Sequence, residues 1–433
     1  MSVAPRSVPL LTLKGLALQS SGDKRAALAS LRQALGIQPA YPAALQAAAQ
    51  IEFELRDANA GRTLESVVRL DPASEPAHSM LGVLAFEKRA CPDAIAHFEK
   101  APGAIEAPAV KWPYAVCLLE AGRYADAAKH FSALLFLREH APTRFNLGLS
   151  YWLSKDYRQA VAALGPLDGP GASTDAMRLL ASAHEQAGDV AQALAVLQKA
   201  IRSHPGDERL LIDLAVLCMD NKAVDLGVEV MQAGIAAKPR SAQLHTLLGV
   251  LEVRHGDMDA ARKAFQRAED LAPKSGLGRV GLASMMMQMG LASDAVRVLR
   301  EQLAAGGSDP RVELTLARAL LLKTPSPEEA REAAGLLRRI VAREPGNALA
   351  HGLLGKAYVQ MGDAAKAEAE LAAAIRLDPA DRTSAYQLMT IYRRSGREKE
   401  AAALAQRVRV LVDQEAAEEQ AKNRFQLIRE NSQ

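Results

Sequence analysis

The residues of this chain that could do chemistry are nine histidines, three cysteines, a glycine run and a methionine cluster. A zinc hydrolase helix needs two histidines one turn apart with an acid beside the first, as in H-E-x-x-H. No histidine here has that spacing, nor a cysteine or carboxylate partner at ligand spacing. The nucleophile turn G-x-S-x-G and the phosphate loop G-x-x-x-x-G-K-[ST] are absent too. Gly276, Gly278 and Gly281 do spell G-x-G-x-x-G. A dinucleotide site needs that string to follow a strand. Here it follows a helical stretch and Pro273, so it reads as a turn and a tight helix contact. Cys91, Cys117 and Cys218 have no C-x-x-C pattern and are odd in number. They read as small core residues, with neither a disulfide framework nor a zinc site indicated. Met285, Met286, Met287 and Met289 could form an adaptable surface, but helical spacing puts most of them inside. The expectation is therefore no catalytic residues, no cofactor and no metal.

The elements that would position any site are helices. The chain has 433 residues, 49% hydrophobic and only 4% aromatic, with β-branched residues scattered singly. Fifty-three basic against 50 acidic side chains leave a net charge of +3 with no clustered basic block, which argues against nucleic acid as a partner. No uninterrupted apolar stretch approaches the ~18 residues of a membrane helix. The opening residues faintly resemble a signal peptide, but Lys14 interrupts the apolar run. The chain as given reads as cytoplasmic, and as periplasmic if an export signal lies upstream.

A pattern recurs every 33 to 37 residues: a glycine, a short Ala-rich helix with a bulky residue, then proline. Pro205, Pro239 and Pro273 are 34 residues apart, as are Pro345 and Pro379. Such a period marks a solenoid whose units pack on their neighbours. One copy has Gly249, Gly256, Ala261, Phe265 and Ala268; another has Gly355, Tyr358, Gly362, Ala367, Leu371 and Ala374. Gly148, Tyr151, Tyr157, Ala160 and Leu164 form a third, and Gly82, Ala94, Phe98 and Ala101 a fourth. This resembles the tetratricopeptide repeat family over nearly the whole chain, in about twelve units. The resemblance implies an all-α, right-handed superhelical solenoid of antiparallel helix pairs.

Departures from the pattern suggest boundaries. Residues 1–7 are expected to be disordered, 8–164 to form an N-terminal array of about five repeats, and 165–173 (Gly/Pro-rich, to Ser173) a hinge. Residues 174–413 would be a second array of about seven repeats, closed by a capping helix over 414–433 with Phe425, Leu427 and Ile428 as its buried edge. The second unit has Ala48 and Ala60 where glycine is usual, and KTPSPEEA is inserted in the tenth unit, with Ser326 as N-cap and Pro327 in the first turn.

The resemblance places side chains of each first helix in a concave groove. Reading those positions gives Phe86, Trp112, Val116, Leu119, Phe145, Leu149 and Trp152, then Val216 and Val250. Phe86, Trp112, Leu119, Phe145, Leu149 and Trp152 are the candidate peptide-binding residues, suited to an apolar or amphipathic segment. The family's carboxylate clamp is missing, because Phe145 and Leu149 flank Asn146, and so is its asparagine ladder. Lys356, Thr383, Arg393 and Arg394 could meet an acidic segment. The implied function is a protein-binding scaffold, not an enzyme. The alternative is a regulatory or assembly arm of a larger enzyme or of a secretion or envelope complex with an upstream domain. Leucines at 10, 11, 13, 16 and 18 on more than one face of the first helix suggest self-association through that end.

Overall fold

The computed structural model describes residues 7–169, 171–305 and 309–412. The chain divides into two compact units, one up to His204 and one from Pro205. The first holds α1 (Val8–Ser20), α2 (Lys24–Ile37), α3 (Pro42–Glu54), α4 (Ala60–Leu70), α5 (Glu75–Glu87) and α6 (Cys91–Phe98). It continues with the one-turn α7 (Pro102–Ile105), then α8 (Pro108–Glu120), α9 (Tyr124–Leu137), α10 (Ala141–Leu153), α11 (Tyr157–Leu164), α12 (Thr174–Gln186) and α13 (Val190–Ser203). The second opens with α14 (Glu208–Asp220), α15 (Val224–Ala237), α16 (Ala242–His255), α17 (Met258–Leu271), α18 (Leu277–Gln288) and α19 (Ala292–Ala304). It ends with α20 (Pro310–Leu320), α21 (Pro327–Arg343), α22 (Ala348–Met361), α23 (Ala364–Leu377) and α24 (Arg382–Arg394), and a helical stretch over 398–412. The described residues are helical with no strand, as the repeat pattern predicts. The expected cap over 414–433, with Phe425, Leu427 and Ile428, lies outside the described residues, as do residues 1–6.

Several pairs close by the same contact. A Cβ built on Gly82 would lie 2.5 Å from the Phe98 ring, one on Gly249 2.5 Å from Phe265, and one on Gly355 2.5 Å from Leu371. Gly148 meets Leu164 in the same way. The bare backbone of the first helix thus receives the bulky side chain of the second, sixteen residues on. Where glycine is lacking, the same spacing separates buried Ala115 from Phe131 and Ala283 from Leu299, each two in one core cluster. At the glycine pairs the packing leaves no room for an added methyl group.

The turn between paired helices also repeats. Gly22, Gly122, Gly188, Gly256, Gly290, Gly362 and Gly396 hold positive φ there. Where glycine is absent, Arg56, Arg89, Lys155 and Lys222 adopt the same left-handed conformation, with φ of 54° to 63°. An aspartate often follows and caps the second helix: Asp23, Asp156, Asp189, Asp257 and Asp363 each accept from a backbone N–H of the first turn. The insertion before α21 is closed by a reciprocal cap, in which Ser326 Oγ accepts from Glu329 N and Glu329 accepts from Ser326 N.

The loop Gly165–Ser173 lies within the first unit, which ends at His204. A 3₁₀ turn over Gly165–Leu167 fills part of the loop, and Lys199 Nζ binds both the Asp168 carbonyl and its carboxylate at 3.0 Å, tying the loop to α13. Cys91 and Cys117, read as unpaired core residues, are joined in a disulfide, with Cα atoms 5.0 Å apart. Both are buried, as is the free Cys218, so their core placement holds while their isolation does not. Sequence spacing cannot show such a pairing, because the antiparallel course of α6 and α8 is what brings the two ends together.

A left-handed lysine costs free energy that glycine would not. Lys222→Gly should therefore raise stability by about 0.5–1 kcal/mol, read as a higher urea midpoint with unchanged slope; a lower midpoint would contradict this account of the turn.

Candidate functional site

Within the first unit, α1, α3, α5, α8, α10 and α12 touch in sequence, whereas the second helices do not touch one another. The first helices therefore make a continuous face, and the candidate residues stand on three of them. Phe86, Trp112, Leu119, Phe145, Leu149 and Trp152 are all half-buried, neither fully core nor fully open. Phe86 and Trp112 meet edge to face, with ring centroids 5.9 Å apart and planes at 89°. Together with Val116 and Leu119 they lie against the core formed by Phe98, Tyr114, Cys117, Leu118 and Phe131. The Trp112 Nε1–H is buried and meets no acceptor among the described residues.

Phe145 stands on α10. With Pro142 and Asn146 it lines a cavity of about 550 Å³, walled opposite by Pro166, Leu167 and Ala172 of the loop after α11. Trp152 turns toward α12, where its Nε1–H donates to Ser182 Oγ at 3.2 Å, and its ring meets Tyr157 edge-on at 6.4 Å. Phe86 and Trp112 thus meet each other, while Phe145, Leu149 and Trp152 stand on α10. In the second unit Val216 is 41% exposed and Val250 is half-buried.

Sequence reasoning missed a second cavity of about 730 Å³, between α1, α3 and α5, where Gln19, Gln46 and Gln50 line an alanine-rich floor. Its signal was a row of glutamines on the first helices. A third, of about 570 Å³, lies between α17 and α19 and carries Arg262, Lys263, Arg267 and Arg279 facing Glu269 and Glu301. Among the described residues no three His, Cys, Asp or Glu side chains gather as metal ligands. The G-x-G-x-x-G string is a packing device: Gly276 precedes α18 at φ +65°, a Cβ built on Gly278 would lie 2.5 Å from the Phe265 carbonyl of α17, and one on Gly281 would meet the Phe265 ring. Met285 and Met287 are buried, and Met289 is 49% exposed.

Models of the tetratricopeptide repeat match residues 8–41, 115–165 and 145–208, and 184–251, 252–320 and 327–391. The chain belongs to the tetratricopeptide repeat family. It is a protein-interaction scaffold, a role the family typically performs without catalysis. No curated protein sequence matches it. Yeast Tom70 is similar in fold, with a TM-score of 0.52 at 12% identity over 93% of this chain and 99% of that one. Looser likenesses are the APC/C hetero-tetramer Cut9–Hcn1 (TM-score 0.41, 13% identity, 93% and 94% coverage) and Naa15/Naa10 bound to HypK-THB (0.44, 16%, 92% and 67%). No described helix of this repeat protein is long and apolar enough to cross a membrane.

The repeats near the aromatic patch carry buried charge and imidazole groups. Lys111 is 5% exposed and pairs with Glu106 at 2.9 Å. His78, 1% exposed, faces the Pro72 carbonyl through Nε2 at 3.1 Å, so that nitrogen carries the proton. Its bare Nδ1 then accepts from His97 Nδ1–H at 2.9 Å. Burial, then the His78 ring and Lys100, hold His97 below the ordinary imidazole range. Burial and Lys111 do the same for His130, which packs edge-on to Tyr114. In the second unit, burial lowers the Lys356 ammonium, while Thr383, Arg393 and Arg394 are exposed on α24.

Because both imidazoles prefer the neutral form when folded, the unfolded chain binds more protons between the folded value and about 6.5. Their contribution to stability is complete above that value and is lost as pH falls through the folded value. The melting temperature should drop between pH 7.5 and 5.5, and His97→Gln with His130→Gln should flatten that drop, as differential scanning calorimetry would show.

Proposed function

We propose that this scaffold holds an extended or helical segment of a partner protein on its first-helix face, with α8 and α10 as the main anchor, and performs no catalysis itself. The observation that carries this reading is the cavity of about 550 Å³ beside Phe145, with apolar walls and the Asn146 amide at its edge. That is room for one or two large side chains with a polar group to orient them. Phe86, Trp112 and Leu119 offer a second apolar contact along the same face, and half-buried aromatic residues are efficient anchors. The near balance of charge favours an apolar or amphipathic segment over a polyanion. Partners captured from source-cell lysate and identified by mass spectrometry supply peptides for titration. Phe145→Ala and Leu149→Ala should each weaken those peptides at least about tenfold, with helicity unchanged by circular dichroism. Unchanged affinity in both variants would remove the anchor.

A second contact surface is favoured by α1. Leu10 is 46% and Leu13 61% exposed, with Leu16 beside them, whereas Leu11 and Leu18 pack inward. This face is suited to self-association, or to docking within a larger assembly for which the chain would serve as an arm. Sedimentation velocity should show a concentration-dependent dimer that Leu13→Glu abolishes; a monomer at every concentration would exclude self-association.

A further inference from the structure

The second helices α6 and α11 have 8 residues each, where α2, α9, α13, α15, α17 and α23 have 14. Eight residues give about 12 Å of helix against about 21 Å for fourteen, so α6 has little more than half the usual length with which to grip α8. The chain after it is poor in helix-forming signals. Pro102 opens the one-turn α7, Pro108 stands in the first turn of α8, and Pro113 lies inside α8, where it removes a backbone hydrogen bond. Into this stretch the fold sets a covalent link. Cys91, the first residue of α6, is bonded to Cys117 in the last turn of α8, closing a loop that contains α6, α7, Trp112 and Tyr114.

We infer that the Cys91–Cys117 bond is an oxidative staple that reinforces the packing of the shortened α6 on α8, where Phe98 meets the Tyr114 ring at 5.6 Å, and that the protein matures where thiols are oxidised. In reducing compartments such bonds are rare, and a bond that closes a loop removes conformational freedom from the unfolded chain. The chemistry needs a small-molecule disulfide of the glutathione type as oxidant. Cys91, 6% exposed at a helix start, is the more reachable sulfur, whereas Cys117 is fully buried. The Cys91 thiolate attacks one sulfur of the small disulfide and expels one small thiol, leaving a mixed disulfide. The Cys117 thiolate then attacks the Cys91 sulfur and expels the second. Two protein thiols lose two electrons and two protons, and the small disulfide becomes two thiols. Cys218 cannot compete: it is fully buried, and burial pushes its thiol up to about 11.

The test uses the full chain. After equilibration with oxidised and reduced glutathione and an acid quench, alkylation in denaturant should modify Cys218 alone, and all three cysteines after reduction. Dithiothreitol should lower the melting temperature by at least about 3 °C. Cys91→Ala with Cys117→Ala should show a similar drop and no further response to dithiothreitol, while Cys218→Ala keeps the full response. If the double variant fails to fold, the reduced wild-type protein still gives the measurement. A bond that does not form in the glutathione mixture, or a melting temperature indifferent to its reduction, overturns the staple. Acid quenching of intact source cells tests the compartment: Cys91 and Cys117 joined supports it, and both free overturns it.

Discussion

A bulky side chain seated against a bare stretch of helix backbone is the contact on which every other feature of this protein depends. Phe98 over Gly82, Leu164 against Gly148, Phe265 over Gly249 and Leu371 over Gly355 let the two helices of a pair approach until backbone meets ring or isobutyl group. That approach fixes the length of the turn between them. The short turn in turn demands a left-handed residue, and the aspartate after it caps the returning helix. Only once pairs are closed in this way can first helices lie side by side and present a common face.

The parts of this design that are local were legible in the sequence. Gly249 with Phe265 and Gly355 with Leu371 announce themselves by spacing, because a short turn folds the second helix back so that residues sixteen apart meet. The capped start of α21 at Ser326 was legible for the same reason. The left-handed turns at Arg56, Arg89, Lys155 and Lys222 were not, since nothing in an arginine or lysine signals that conformation. Tertiary pairings were also hidden. Cys91 and Cys117 are separated by 26 positions, and His78 from His97 by 19, so their meeting depends on how α6 and its neighbours pack.

The candidate site was legible as a set of positions but not as a shape. The repeat register selected Phe86, Trp112, Leu119, Phe145, Leu149 and Trp152, and all six are half-buried on adjoining first helices. It could not show what each one meets: Trp152 is held by Ser182 of the next first helix, while Phe145 faces the loop after the shortened α11. Sequence irregularity and the apolar cavity thus coincide: where a second helix gives up its last turns, the volume those turns would have filled opens beside the first-helix face.

The ring of Phe265 has a further consequence. It belongs to α17, yet it fills the space over Gly249 on its own partner α16 and also meets Gly281 on α18, in the following repeat. One side chain is therefore shared by two repeats, and neither can melt without stripping the other of its filling. In a linear array, stability is the sum of what each repeat contributes and what each junction contributes. A shared ring shifts weight from the first term to the second, so the stretch from α16 to α18 should behave as one cooperative block rather than as separable modules.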